Sequence, residues 1–462
     1  MNNRTLDLIA TSAFGLEGMI ASELKRLNMK NVQAGNGSVR FSGNIVDAYF
    51  CNIRSRFADR IMILLAEAKV LSFDDLFRLV DKIPWEEMMN GTEKINVSCK
   101  CARSQLMSQS ACQSIPKKSI IEHLKRTTGR KIFPESGAAL PIHISIHQDI
   151  ARIMLDTTGE GLSRRGYRTW NGEAPLRETL AAALVESSPW RPGMPLYDPC
   201  CGTGTLIIEA SLRAAHKAPG SDREFAMEHF SFFPRQSTKQ LLDQIRSEFE
   251  PDRIHLIQGS DIDPSAIDLA RKHIRQAGLN GYTEVQVLPL QELQLEYENG
   301  VFLCNPPYGE RLGDRETCRK LYTDLHQLQI RHPGWSLCAI TSDPGFERAF
   351  GKKADNSNAT GFGWFYAGSM NGNTTRSYQR CESRYDAYWT STKNGSNCLP
   401  WFIQNSSSAL QRYYESGCQL YGYLVRCVKD PEATEGIVET KGATNVTYQS
   451  VALNGNIVFD GY

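Results

Sequence analysis

Leu196-Tyr-Asp198-Pro-Cys-Cys-Gly202-Thr-Gly204-Thr205 decides the fold, because a short apolar strand ends there on a carboxylate, turns through glycines and opens a helix. Glycines let the backbone approach a ligand with no Cβ in the way, and the helix that follows offers free N–H groups. A carboxylate at the strand tip suits a cationic cofactor better than a pyrophosphate. Working outward, strand candidates are Pro195 to Asp198, Ile254 to Gly259, Glu284 to Leu288, Val301 to Asn305 and Trp335 to Thr341. Between the second and third, Asp263 can cap a helix with Pro264 first, Ile267, Ala270 and Ile274 on one face, and Gly278 beyond its end. Strand, helix, strand in this order means parallel pairing with right-handed crossovers. The expected fold is α/β, a Rossmann-like doubly wound sheet with ligands at the carboxyl ends of its strands.

Two more motifs fall on such ends. Gly259-Ser-Asp261-Ile-Asp263-Pro264 offers Asp261 as a ligand for ribose hydroxyls, with Asp263 taken up as the helix cap. Asn305-Pro306-Pro307-Tyr308 follows an apolar strand, and its consecutive prolines fix φ and remove N–H donors. The Asn305 side-chain oxygen and the Pro306 carbonyl can accept two hydrogen bonds from one exocyclic amine, and Tyr308 can stack on the base that carries it. An aromatic amine is a weak nucleophile, and accepting its N–H bonds favours the positive charge that develops on nitrogen in a transition state.

The chain has 462 residues, 52 Lys plus Arg against 51 Asp plus Glu, and 41% apolar residues. This is ordinary globular usage, with length for about three domains. Charge balance removes any long-range field toward nucleic acid, so an RNA grip must be local. Residues 1 to about 165 are mixed α and β. They carry Lys117, Lys118, Lys125, Arg126, Arg130 and Lys131 on and after a helix expected over 117–128, followed by Arg164-Arg165-Gly-Tyr167-Arg168. Such clusters form either a solvated face or a phosphate-binding patch, and the tyrosine among the second set suits base stacking as well as an ordinary loop. Thirteen cysteines without paired C-x-x-C units fit neither a disulfide framework nor a zinc site, so no metal is expected. The N-terminus places Asp7 where a secretory leader needs apolar residues, and no apolar run is long enough for a membrane span; the expected setting is cytoplasmic. After Asn356 charge thins out, Ser, Asn and Gly accumulate, and ten of the 17 tyrosines appear.

Together the three motifs resemble class I S-adenosylmethionine-dependent methyltransferases of the amino-methylating type. Residues 1 to about 355 are similar to the THUMP-containing RNA methyltransferases related to bacterial 23S rRNA guanine-N2 methyltransferase. Ser98-Cys-Lys-Cys-Ala-Arg-Ser104, Lys117-Lys118, Arg164-Arg-Gly-Tyr-Arg168 and Glu173-Ala-Pro-Leu-Arg-Glu-Thr-Leu180 join the three motifs in carrying that likeness. The resemblance implies an N-terminal ferredoxin-like region (1–65), a THUMP RNA-binding domain (66–165) and a methyltransferase domain (166–355). It implies S-adenosylmethionine as cofactor, with Asp198, Gly202 and Gly204 around its methionine part and Asp261 on its ribose. Asn305, Pro306 and Tyr308 would hold the target amine, and Lys117, Lys118, Lys125, Arg164, Arg165 and Arg168 would hold RNA. Adenine N6 is the alternative target, since the Asn-Pro-Pro-Tyr motif serves both bases. One departure is Pro289, which stands where the family has an adenine-binding Asp, leaving Gln291 or Glu292 as substitutes.

The tail, 356–462, resembles a C-type-lectin-related surface repeat of Bacteroidetes and Fibrobacter through Tyr388-Trp-Thr-Ser-Thr392 and Tyr421-Gly-Tyr-Leu-Val-Arg-Cys427. It reads as a foreign, mostly β addition. A methyltransferase domain cut at 355 lacks its last two strands, so Trp335 to Thr341 is expected to form an exposed edge. An inactive RNA-binding or surface-binding chimera is then the reading from a different class.

Overall fold

The computed structural model describes residues 4–168, 176–307 and 315–353, and beyond them the backbone of strands at 363–367, 385–394, 397–404, 410–413, 441–447 and 450–454. The N-terminal part runs β1 (Leu6–Thr11), α1 (Glu17–Arg26), β2 (Lys30–Gly35), β3 (Ser38–Gly43), α2 (Ile45–Arg54) and β4 (Arg60–Lys69). It continues with α3 (Phe73–Asp81), β5 (Lys94–Ala102), α4 (Gln109–Thr128), β6 (Ala139–His147) and β7 (Ile150–Asp156). These strands make one sheet, ordered β2-β3-β1-β4-β7-β6-β5. β4 pairs with β1 on one side and β7 on the other, so a boundary at residue 65 falls inside a strand shared by both halves. Helix α4 begins at Gln109, where the Ser108 hydroxyl accepts from the Ala111 N–H, and runs through Pro116. It therefore starts ahead of the Lys117 onset read from the sequence, with Ser108 as its cap and Cys112, Pro116 and Ile120 packed on its buried face.

The second sheet is built by α5 (Glu178–Ser187), β8 (Leu196–Asp198), α6 (Thr205–Ala214), α7 (Arg235–Ser247), β9 (Ile257–Asp261), α8 (Pro264–Gln276), β10 (Glu284–Val287), β11 (Gly300–Cys304), α9 (Arg315–Arg331), β12 (Trp335–Thr341), α10 (Phe346–Phe350) and β13 (Gly363–Ala367). Its order is β10-β9-β8-β11-β12-β13, parallel as far as β12. Buried helix faces cover it: Ile207 and Ile208 from α6 and Ile267 and Ala270 from α8 share one core cluster, while Tyr322, Leu325, Phe346 and Phe350 form another with Phe302 and Trp335. β13 pairs antiparallel with β12, from Leu337 opposite Ala367 to Thr341 opposite Gly363. The expected open edge at Trp335–Thr341 is thus corrected: a strand drawn from beyond residue 355 covers it. A separate antiparallel sheet, ordered β14-β15-β16-β18-β17, comprises β14 (Tyr385–Asn394), β15 (Asn397–Gln404), β16 (Leu410–Tyr413), β17 (Lys441–Thr447) and β18 (Ser450–Asn454). The tail motif at 421–427 lies outside the described residues. Among the described residues no helix is long and apolar enough to cross a membrane.

The two main sheets meet around Arg165. Its guanidinium donates to the carbonyls of Ser55 (3.3 Å), Arg56 (2.6 Å) and Leu162 (2.9 Å), and Nε reaches Glu209 Oε1 on α6 at 3.4 Å. Tyr167 donates to the same carboxylate oxygen at 3.1 Å. Both charged side chains are sealed from water, at 2% and 0% exposure. Removing one partner of a buried pair leaves the other charge uncompensated, so Arg165→Ala should lower unfolding stability by about 3–5 kcal/mol. Urea denaturation followed by circular dichroism would read this as an earlier midpoint; a midpoint equal to wild type would contradict the clamp.

Candidate active site

β8, β9 and β11 deliver their carboxyl ends to one edge of the second sheet. The registers Val301 opposite Leu196 and Phe302 opposite Tyr197 bring the loops after Asp198 and Cys304 out side by side, where the strand order reverses. Such a switch point is where open α/β sheets bind ligands.

Asp198 is 1% exposed, and one of its oxygens accepts from the Cys200 N–H at 3.0 Å. Burial pushes its carboxyl well above the usual carboxylate range; the Cys200 N–H offsets this in part, and the nearby Asp261 charge adds to it. A carboxylate so placed gains from a cation beside it. Gly202 (φ +50°) and Gly204 (φ +83°) take left-handed conformations that carry the loop from β8 into α6. A Cβ on Gly202 would meet nothing, so open space lies in front of the loop. Asp261 joins the loop to the second motif: its carboxylate accepts from the Gly202 N–H at 2.8 Å and from the Asp263 N–H at 3.0 Å. Asp263 caps α8 through the Ser265 N–H at 2.8 Å, in the role expected of it.

Asn305 follows β11, and its Oδ1 is buried with no hydrogen-bond partner among the described residues. A buried, unpaired acceptor can be satisfied by a donor from a ligand. Pro306 is buried. The Pro307 carbonyl is held by the Tyr322 hydroxyl of α9 at 3.0 Å, and the same hydroxyl lies 3.2 Å from Asp343. Sequence reasoning missed Tyr322 because its work is done across the fold. Tyr308 lies outside the described residues.

Residues 7–62 match the RlmL ferredoxin-like domain, 71–156 the THUMP domain, and 165–366 the RMKL-like methyltransferase domain. The "Putative RNA methyltransferase YpsC" of Bacillus subtilis is 36% identical over 349 residues, covering 75% of this chain and 90% of the relative. The chain belongs to this family of THUMP-containing, RlmKL-like RNA methyltransferases. The "Ribosomal RNA large subunit methyltransferase K/L" of Desulfotalea psychrophila is 33% identical over 355 residues, but the chain spans only 49% of it. Among solved structures, a "predicted N6-adenine-specific DNA methylase" from Listeria monocytogenes aligns with TM-score 0.76 and 36% identity over 79% of this chain and 97% of that one. SMU.472, "a putative methyltransferase complexed with SAH", aligns with TM-score 0.75 and 33% identity over 80% and 100%.

S-adenosylmethionine is the cofactor of this family member, and the site fits it: a buried carboxyl that favours a cation, an open glycine cradle and an acid on the adjoining strand tip. When bound, it supplies an electrophilic methyl group on a sulfonium. Pro289 offers no polar side chain, and of the two expected substitutes Gln291 is engaged by Asp324 on α9 at 2.8 Å while Glu292 points to solvent. The neighbouring tips instead present apolar side chains, Ile262 at 71% exposure and Val287, whose backbone pairs with Asp261, at 44%. The sequence reading passed over both because single apolar residues at strand ends carry no pattern.

The basic residues divide. Arg165 is buried in the clamp and Arg168, 12% exposed, pairs with Glu178 at 3.1 Å and bonds the Thr205 hydroxyl at the start of α6. Both are corrected from RNA contacts to structural groups, since guanidiniums enclosed in the fold and held by carboxylates, carbonyls and a hydroxyl cannot meet phosphate. Arg164 is exposed and pairs with Glu160, and Lys117 pairs with Glu135 at 2.7 Å. Lys118 and Lys125 are exposed on α4.

Asp261→Ala frees two loop N–H groups and, in the ribose-binding role that the family resemblance implies for it, removes a hydroxyl acceptor. At about 1.5–3 kcal/mol per charged hydrogen bond, cofactor Kd should rise by more than tenfold. Turnover at saturating cofactor should change far less, because such contacts are equal in ground and transition states. Isothermal titration beside methyl-transfer kinetics checks this, and slow turnover with normal affinity would contradict it.

Proposed function

We propose that this chain methylates N2 of a guanine in 23S rRNA or its precursor, in the cytoplasm. The unpaired, buried Asn305 Oδ1 at the sheet's switch point carries the reading. In it, the two N–H bonds of the exocyclic amine are accepted by Asn305 Oδ1 and the Pro306 carbonyl, and Tyr308 stacks on the base. The acceptors hold the nitrogen in line with the methyl carbon and favour the charge it acquires. Held by Asp198, the glycine loop and Asp261, S-adenosylmethionine would supply the methyl group and leave as a neutral thioether, and the amine would release one proton to water. No strong base is needed. Tyr322 holds the Pro307 carbonyl by a hydrogen bond, which fixes the loop that presents Asn305.

The large-subunit ribosomal RNA named in relatives such as that of Desulfotalea psychrophila supports an RNA substrate, as does the THUMP domain. Adenine N6 remains the competing target, in keeping with the name of the Listeria relative. RNA is gripped through exposed cations of the THUMP region. Lys118 and Lys125 stand two turns apart on the same face of α4 and are its phosphate contacts.

Nucleoside mass spectrometry of unmodified 23S rRNA incubated with the chain and S-adenosylmethionine should yield N2-methylguanosine; N6-methyladenosine would transfer the reading to the competing target. Asn305→Ala should slow transfer by about 100-fold or more while cofactor affinity holds. Unchanged turnover would remove Asn305 from the reaction. Lys118→Ala with Lys125→Ala should flatten the salt dependence of RNA binding by about one unit of slope per lost contact. An unchanged slope would return both lysines to a solvated face.

A further inference from the structure

We propose that Cys99, Cys101 and Cys112 of the THUMP region form a site for one soft closed-shell cation, Zn(II) or Cu(I), bound through three thiolates. The three Sγ atoms all lie within 4.8 Å of one another, and those of Cys99 and Cys101 are 3.4 Å apart. The topology makes this meeting. Side chains two apart on a strand share a face, so β5 turns Cys99 and Cys101 together toward α4, whose first turns carry Cys112. Zn–S bonds of about 2.3 Å at tetrahedral angles place sulfurs about 3.8 Å apart, inside the spread already present. Little backbone movement is required.

Chemistry and burial agree with a cation of this class. Thiolate is the preferred ligand of Zn(II) and Cu(I), whereas hard cations choose oxygen. Cys99 and Cys112 are buried and Cys101 is half-buried, so the site has a closed floor and one side toward solvent. Zn(II) would complete four-coordination there with water, while Cu(I) would remain three-coordinate. Burial, together with the neighbouring Cys101 sulfur, pushes Cys112 up to about 11 and Cys99 higher. Binding through Cys99 and Cys112 therefore expels their protons, and uptake strengthens as pH rises. The bound ion would pin β5 to α4, the helix that carries Lys118 and Lys125. The inference is independent of which base is methylated.

The test uses the full chain, reduced and free of oxygen, titrated in separate arms with Cd(II) as a spectroscopic stand-in for Zn(II), with Zn(II), and with Cu(I). A control variant with Cys381, Cys398, Cys418 and Cys427 all replaced by Ser removes the tail thiols. The expected result is a sulfur-to-metal charge-transfer band saturating at one Cd(II) per chain in wild type and tail control alike, with a higher melting temperature for the metal-loaded protein. Cys101→Ser, at the half-exposed position, and Cys112→Ala should each lose the band and the thermal shift, while Cys318→Ser keeps both. Whichever of Zn(II) and Cu(I) displaces Cd(II) at lower concentration names the ion. No band, a band that survives Cys101→Ser and Cys112→Ala, or one that disappears with the tail cysteines would overturn the site.

Discussion

A single buried charge pair, Arg165 with Glu209, sets the relation between the two sheets. Water reaches neither group, so each depends on the other and on the hydrogen bonds around them. Arg165 spends its remaining donors on the carbonyls of Ser55 and Arg56, between α2 and β4, and Glu209 sits on the helix that begins at the glycine loop. The N-terminal sheet and the methyl-transfer site are in this way registered through one guanidinium. Arg168 extends the same logic a turn away, holding Glu178 of α5 and the Thr205 hydroxyl at the first residue of α6. Two arginines from one five-residue stretch therefore tie the helix that follows the glycine loop to α5 and to the N-terminal sheet.

At the site itself the governing constraint is a pair of carboxylates on adjacent strand tips. Asp198 is driven toward its protonated form by burial, whereas Asp261 is supplied with two backbone N–H groups and bridges the glycine loop to the cap of α8. The environments differ: one group favours a nearby cation, the other orders the loop. Asn305 stands across the switch point with an oxygen that nothing in the described protein satisfies. Cation-favouring carboxyl, ordered cradle and unpaired acceptor lie on neighbouring strand ends because β9, β8 and β11 are adjacent and parallel, which is a consequence of the crossover rule more than of any single residue.

Much of this was legible in the sequence because the chemistry sits at strand ends, where motifs are short and contiguous. Asp198, the two glycines, the Asp263 cap and Asn305 all take the places their motifs imply. What escaped was decided by partners far along the chain. Arg165 and Arg168 look like solvated cations beside their neighbours, and only Glu209 and Glu178 show why they are buried. The thiol cluster joins a C-x-C on a strand to a cysteine on the next helix, a spacing unlike any zinc signature, so it becomes visible only when α4 packs on β5. β13 hides past a polar stretch as the brief run Gly363-Trp-Phe-Tyr-Ala367, and sharing of β4 between two halves leaves no mark in composition.

The central claim is that an exocyclic guanine amine docks on Asn305 at the switch point while the Arg165 clamp stays closed. A crystal structure of the chain with S-adenosylhomocysteine and a short guanine-containing RNA tests it most directly. The account predicts guanine N2 about 3 Å from both Asn305 Oδ1 and the Pro306 carbonyl, with the RNA backbone running to the α4 face that bears Lys118 and Lys125. A base seated with its amine away from Asn305, or RNA reaching the site without touching the THUMP region, would contradict it.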